Sequence, residues 1–579
     1  MKKLIISFVF AVAAICVYAQ TFKYEGINYN ILSEADKTCE VANNPTASGD
    51  ITIPETVPYD NSQYTVTSIG YDAFYFCTSL TSVTLPENLN SIGVYAFSYC
   101  TGLTSVILPE NLTSIGDNAF SSCNGLTSIT FPESLTSIGE RAFSSCTSLT
   151  LITIPEKVTS IGEAAFSNCT NLTEINVASE NKNYTSIDGV LFSKDLKSLL
   201  NYPGGKLGDY TVPDGVVSIK NYAFYSCTGL TSITFPESLT SIGSYAFYLC
   251  TSLTSVNLPE SLTSIGFFAF YSCTGLTSIT LPASLTSIGD HTFSTCTDLT
   301  EINVASENKN YASIDGVLFS KDLKTLVTYP GGKLGEYTVP DGVVSIGAGA
   351  FTSCTGLTSV ILPESLTSIG NNAFLNCTGL TSITLPASLT SIGDHTFSSC
   401  TSVITINSYA TTPPVCNGGE GVFHEIPSDA VLHVPVGTKE AYASANGWSQ
   451  FSNIIDDLEV DEEEDADTCV SMSVSDNKVE IAVNEETELI VSLKGLKVGT
   501  STLTLTLTDE SGEETTETVI ISVVKEATDV EALFVEDEES MVDIYHLNGI
   551  LLRKNVRPEA VLELPKGIYI VGNKKVLVK

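Results

Sequence analysis

Apolar positions in most of this chain return every 23 residues, not at the spacing of a lone helix or strand. The unit that starts at Cys123 reads CNGLTSITFPESLTSIGERAFSS. Its cysteine recurs at Cys77, Cys100, Cys123, Cys146 and Cys169, at Cys227, Cys250, Cys273 and Cys296, and at Cys354, Cys377 and Cys400. A fixed period between about 20 and 50 residues marks a solenoid of stacked coils. Leu126, Ile129 and Phe131 predict a short strand that turns these side chains inward. Pro132 ends the ladder because it has no N–H to donate. Leu135 and Ile138 form a second inward run, Gly139 supplies a sharp turn, and Ala142-Phe143 closes the coil on a buried aromatic. One coil cannot cover these residues alone; stacking makes a continuous core, with about 1.5–3 kcal/mol for each buried Leu, Ile or Phe.

Two gaps, from Cys169 to Cys227 and from Cys296 to Cys354, are each 58 residues long. The island 172–224 reappears at 299–351, a longer period of 127 that implies an internal duplication. Tyr184-Thr185-Ser186-Ile187 and Leu196-Lys197-Ser198-Leu199 mimic the LTSI run. Val212-Pro213-Asp214-Gly215-Val216-Val217-Ser218-Ile219 then restores the register. Each island is therefore expected to be two or three longer coils of one uninterrupted solenoid, with loops at 179–183 and 203–206 projecting from it.

The C-x-x-L-x-x-I-x-L-P core resembles the leucine-rich repeats of BspA-type bacterial surface proteins. Phe22 to Tyr29 and Tyr64 to Gly70 are similar to that family's N-terminal cap. Thr412-Pro413-Pro414, Leu432-His433-Val434-Pro435 and Gly447-Trp448-Ser449-Gln450-Phe451 are similar to its C-terminal cap. Met1-Lys2-Lys3, the apolar run 4–17 and Val17-Tyr18-Ala19 read as a signal peptide cut before Gln20; Cys16 as a lipidated residue is the rival, disfavoured by the bulk of Ile15. Near the other end, Val542-Asp543-Ile544-Tyr545-His546-Leu547-Asn548-Gly549 and Leu564-Pro565-Lys566-Gly567-Ile568-Tyr569-Ile570-Val571 resemble the sorting domain of type IX secretion substrates. An ordinary terminal β domain is the plainer alternative. The expected order is a signal peptide (1–19), a capped solenoid (20–457), an acidic linker (458–467), a small Ig-like or cadherin-like β module (468–525) and a sorting domain (526–579). The fold class is mainly β with short turns and 3-10 segments: a leucine-rich-repeat solenoid, then a small β-sandwich-like module and a β tail. The two resemblances imply export to the surface of a diderm bacterium or release from it, with the secretion machinery recognising the tail. They also imply adhesion to host proteins, matrix or other bacteria.

Composition narrows the function. Lys and Arg number 27 against 66 Asp and Glu, a net charge of −39, which argues against nucleic acid and anionic lipid as partners. After the signal run no stretch is apolar and long enough to predict membrane insertion of the mature array. His291 and His395 fill the same Gly-Asp-His-Thr-Phe slot in units about 20 Å apart at 4.8 Å per coil, too far to share a proton or metal. His424, His433 and His546 lie outside the repeats. There is no H-E-x-x-H, G-x-S-x-G or phosphate loop, so neither catalytic, metal nor cofactor-binding residues are expected. Gly418-Gly419-Glu420-Gly421 lacks the Lys that a phosphate site needs. The cysteine column admits six disulfides between neighbouring coils. Parallel Cβ vectors and two equivalent neighbours per thiol favour buried reduced thiols instead. Cys39, Cys416 and Cys469 stand outside the column and have no assigned partner.

Two surfaces are candidates for binding. One strand position per unit points outward: Thr84, Ile107, Thr130, Thr153, Asn176, Thr234, Asn257, Thr280, Asn303, Ile361 and Thr384. Plain β-propensity explains such a ladder as well as a docking face does. More locally, Tyr222, Tyr245 and Phe268 form one aromatic column and Tyr225, Tyr248 and Tyr271 another, with Phe267 beside them. Partly exposed aromatics suit protein partners or carbohydrate stacking, and turn-side packing between coils is the rival explanation. The resulting expectation is a binding protein, not an enzyme, whose partner is a protein or glycan on a host cell, the matrix or another bacterium. Glycan capture and a structural surface-layer role remain the alternatives.

Overall fold

One coil shows why these residues fold as they do. In the computed structural model the strand Leu230–Thr234 buries Leu230 and Ile233 and leaves Thr231 and Thr234 in solvent. Pro236 contributes the acceptor that a turn requires, since its carbonyl takes the Leu239 N–H at 3.1 Å. A second strand, Ser241–Ile242, buries its Ile. Ala246, Phe247 and Cys250 close the coil with no exposed surface. The next coil pairs with it parallel and in register, Ser232 with Ser255, Ile233 with Val256 and Ile242 with Ile265. Within a run of coils the two strands therefore each pair in parallel with their counterparts in the neighbouring coil.

The structure describes residues 20–459 throughout and, beyond them, the backbone of nine strands between Ser471 and Val578. The expected signal peptide and nearly all of the acidic linker lie outside the described residues. The chain divides into two compact units, one up to Val460 and one from Asp461. In the second unit, Gly499–Thr508 pairs antiparallel with Glu514–Val523 and with Ser471–Ser473. Val479–Val483 pairs with Leu489–Leu493. Val542–His546, Leu551–Val556, Gly567–Val571 and Lys574–Val578 form a four-stranded antiparallel sheet.

A spine of phenylalanines runs through the first unit. Phe74, Phe97, Phe120, Phe143 and Phe166 stack at 5.1 to 5.9 Å with rings within 15° of parallel. The fourteen cysteines among the described residues are free and buried. Each mid-array thiol donates to the phenylalanine carbonyl of the previous coil, as Cys123 Sγ does to Phe97 O at 3.1 Å and Cys273 Sγ to Phe247 O at 3.2 Å. The thiol is thus a directional donor as well as a small filler. Burial pushes Cys100, Cys169 and Cys296 up to about 12, which keeps them protonated and unreactive.

Gly139 is not in the left-handed region, so the expected role for it is corrected. A Cβ on Gly116 would lie 2.8 Å from Gly93 C and Val94 N, and one on Gly139 would meet Gly116 and Asp117. Glycine here lets the turn backbones of adjacent coils touch. The left-handed conformation falls on other residues, two per coil: for example Asn118 (φ 53°) and Ser122 (φ 60°).

The islands also differ from expectation. Tyr184–Ile187 does not extend the parallel ladder; it forms an antiparallel hairpin with Val190–Ser193, which pairs antiparallel with Ser198–Asn201. Only then does Ser198-Leu199 enter the parallel sheet beside Ser218-Ile219. The N-terminal cap runs in the same order: Ile27–Ser33 lies antiparallel to Thr38–Val41, which pairs parallel with Ser62–Ile69. Each island is thus an embedded copy of the cap, and the Ser-Ile sheet restarts there. The buried residues fall accordingly into three clusters that divide at Val190–Phe192 and Val317–Phe319. The island loops are also held down. Asn181 is buried and donates to Pro155 O and Val158 O, and Pro203 and Gly204 are buried. At the far end Trp448 donates to Pro414 O at 2.8 Å and packs edge-on against Tyr442.

Two outcomes follow from this packing. Gly116→Ala should lose about 1–3 kcal/mol in chemical denaturation, the cost of overpacking a filled interface. Gly347→Ala, whose Cβ has at least 3.2 Å of room, should lose less than half as much. In native protein the fourteen buried thiols should react with Ellman's reagent only on unfolding. Prompt native reaction at those cysteines would contradict the packed column.

Candidate binding surface

The aromatic columns sit on the turn side, three to six residues after the Ile of the second strand. Tyr222, Tyr245 and Phe268 occupy the first left-handed position of their turns, with φ of 59°, 57° and 55°. Placing a bulky L-residue there costs on the order of 1–2 kcal/mol. Ring stacking offsets this in part: Tyr222 lies 4.9 Å from Tyr245 at 3°, and Tyr245 lies 5.0 Å from Phe268 at 8°. Tyr225, Tyr248 and Tyr271 stack beside them at 4.8 and 4.9 Å. Six of the seven expected residues are half-buried, whereas Phe267 is 54% exposed.

The columns are longer than the sequence suggested. His291 continues the first one, with its ring 4.7 Å from Phe268 and 5° from parallel. At the other end Arg141 lies over Tyr222 at 5.4 Å and donates to its hydroxyl at 3.0 Å. Tyr245, Phe268 and Tyr248 therefore have both ring faces covered, and a sugar ring has no face to lie on at these three. Burial, reinforced by Tyr248, pushes Tyr225 up to about 12. Burial holds the His291 imidazole below its ordinary value despite Asp290.

A second aromatic group was missed in the sequence. Tyr71, Tyr75, Phe76, Tyr95 and Tyr99 lie in the turns of the first two coils, with Phe76 and Tyr99 in the same slot. Phe76 and Tyr99 stack at 4.9 Å, and Tyr75 meets Tyr95 and Tyr99 edge-on near 6 Å. Tyr71 is 64% exposed and Phe76 57%. Aligning the residues that flank Cys77 and Cys100 by slot would have revealed them.

The strand ladder is in solvent, with Asn176 half-buried. Thr234, Asn257, Thr280 and Asn303 lie side by side in adjacent strands, and Thr153 pairs with Asn176. Ile107, 79% exposed, pairs with Thr84, Ile361 with Thr338, and Thr384 with Asn407. Thr52 and Thr211 also belong to the ladder, supplied by the cap and the first island. Thr130 stands outside any sheet, because its segment keeps the inward pattern without the ladder bonds. The ladder is thus several short sheets rather than one continuous face. Among the described residues no three His, Cys, Asp or Glu side chains gather as metal ligands. Nor is any described helix long and apolar enough to cross a membrane.

The His291 position has a pH signature. Because its folded value is depressed, the unfolded chain binds more protons below about pH 6.5, so the stability His291 allows at neutrality is lost as pH falls. His291→Phe should lose less melting temperature between about pH 7 and pH 5 than the parent protein, as followed by circular dichroism. An identical loss would place the acid sensitivity elsewhere.

Comparison with known proteins follows this geometry. The family described as BspA type leucine rich repeat region matches residues 67–197, 202–324 and 328–426. A leucine-rich repeat protein from Bacteroides ovatus ATCC 8483 is 30% identical, covering 71% of this chain and 99% of that one, with a TM-score of 0.40. A leucine rich cell surface protein from Faecalibacterium prausnitzii A2-165 is 29% identical over 59% of this chain and 94% of its own, with a TM-score of 0.42. The pneumococcal vaccine antigen PcpA is 20% identical over 76% and 99%, with a TM-score of 0.43. No curated protein matches the chain. With its family match spread over most of the solenoid, this chain belongs to the BspA-type leucine-rich-repeat family.

Proposed function

We propose that this protein is exported and acts as a binding protein at the bacterial surface, capturing a protein partner on the turn side of its solenoid. The observation that carries this reading is the placement of aromatics. The turn slots that hold Asn118 and Ser121 in the middle of the first block both hold aromatics in three consecutive coils of the second block, while Tyr75, Tyr95 and the neighbouring Tyr71, Phe76 and Tyr99 crowd the turns of the first two coils. Aromatic side chains bury large areas at low entropy cost and dominate interface energetics. The exposed group, Tyr71, Phe76 and Tyr99, supplies the anchors. The stacked columns supply a stiff flank with Phe267 standing out of it. A protein partner is favoured over a glycan because Tyr245, Phe268 and Tyr248 present edges rather than faces. Export rests on the signal-peptide pattern of 1–19, and the type IX route on the two motifs of the tail. Adhesion to host or matrix is the specific role these features support, with surface-layer assembly as the competing one.

Full-length protein captured on a sensor and exposed to a panel of extracellular-matrix proteins tests the reading. Tyr71→Ser, Phe76→Ser and Tyr99→Ser combined should weaken capture at least about tenfold with little change in melting temperature. Tyr225→Ser, Tyr248→Ser and Tyr271→Ser combined should lower the melting temperature more than the first set, because those rings also pack. Capture unchanged in both sets would remove the aromatic slots from the binding surface. Self-association of the parent protein with no retained partner would favour the surface-layer role.

A further inference from the structure

The two islands are duplicates, but the junctions they create are not. In the second, the turn of the coil before the island joins the turn of the coil after it through Thr295 N to Thr352 O and Ser294 Oγ to Gly349 O. The His291 ring lies against Gly349 and closes the space between them. In the first junction the equivalent of His291 is Ala164, and the two turns are bridged by side chains, Asn221 Nδ2 to Glu163 Oε1 at 2.9 Å, while Arg141 reaches Tyr222 from one coil further back. A cavity of about 250 Å³ opens there.

Its lining combines an apolar floor with opposite charges. Ala164, Leu191 and Leu200 provide the apolar surface, and Asn201, Glu163 and Lys220 the polar groups. Asn201 is 7% exposed and its Oδ1 has no hydrogen-bond partner. Glu163 and Lys220 are exposed and make no ion pair with each other. Lys220 occupies the slot that holds glycine in the other 23-residue coils, and the island leaves it room. At the corresponding positions of the second junction stand Asp290, Thr328 and Gly347. The ammonium and the carboxamide are therefore particular to the first junction and are not demanded by the island fold.

We propose that this cavity binds a free α-amino acid with an apolar side chain. The Lys220 ammonium takes its carboxylate, Glu163 and the unpartnered Asn201 Oδ1 accept from its ammonium, and the apolar side chain lies on Leu191 and Leu200. Opposite charges that do not pair with each other, at a cavity with a partly apolar lining, match a small zwitterion, and a purely anionic or cationic molecule would leave one of them unmet. The volume suits a side chain of leucine size. The site does not depend on the docking surface described above and stands if that reading fails.

Titration calorimetry of the full chain with L-leucine should show one site per chain. Isocaproic acid, which lacks the amino group, and isoamylamine, which lacks the carboxylate, should each bind at least about tenfold more weakly. Lys220→Gly and Asn201→Thr install residues the second junction already tolerates, and Glu163→Gln keeps the bond to Asn221, so all three should fold. Each should weaken leucine binding about tenfold or more with an unchanged melting temperature in the absence of ligand. No heat with leucine, equal affinity for the acid alone, two sites per chain, or binding indifferent to Lys220→Gly would each overturn the proposal.

Discussion

The spacing of one coil above the next governs everything else in this solenoid. Parallel strands set neighbouring coils about 4.8 Å apart, and that distance must hold on the turn side as well, where no continuous sheet enforces it. It holds there because the turn backbones bond from coil to coil, as Asn118, Phe120 and Ser122 N–H do to Glu140, Ala142 and Ser144 O, and the column through Gly93, Gly116 and Gly139 lets them come that close. At that separation flat rings stack face to face, which is why the phenylalanine spine and the tyrosine columns share nearly the same geometry. The cysteine thiols answer to the same distance, since each reaches one coil back to a carbonyl. Identical side chains recur because one interval is imposed on every layer.

That regularity has a cost at its edges. A stack of open coils exposes a core and a row of unpaired strand groups at each end. The hairpin unit that covers the N-terminal end is used twice more inside the array. Each time it breaks the Ser-Ile sheet while the coils beyond it resume the same register. These breaks are where the periodic rules relax. Lys220 can stand in a glycine slot only because an island precedes it, and Ala164 can leave space only because the next 23-residue turn is not in direct contact. Distinctive chemistry in a repeat protein collects where the repeat is interrupted.

The turn side reads differently from the strand side. Outward strand positions are small and neutral, and they lie in separate short sheets. Turn positions vary more freely, because the left-handed residue does not face the Leu-Ile core: Asn118, Arg141, Tyr222 and His291 all occupy it. Variation there has little consequence for the core, so this face can change while the fold stays fixed.

The sequence alone determined the period, the inward set of Leu, Ile, Phe and Cys and the aromatic columns at 222–271. All of these depend on contacts between residues 23 apart, and identical neighbours reveal themselves by repetition. What only the tertiary structure decided was what happens where repetition stops. The hairpin course of 184–193 was misread as a coil because Tyr184 to Ile187 has the letters of one, and pairing partners are not written in a strand's own residues. Exposure of Tyr71 and Phe76 against the half-burial of Tyr225 depends on which rings lie above and below. The role of Gly139 lies in the backbone one coil away. The cavity beside Asn201 exists because two distant turns meet with an alanine between them, and that is a fact of three-dimensional adjacency with no local signature.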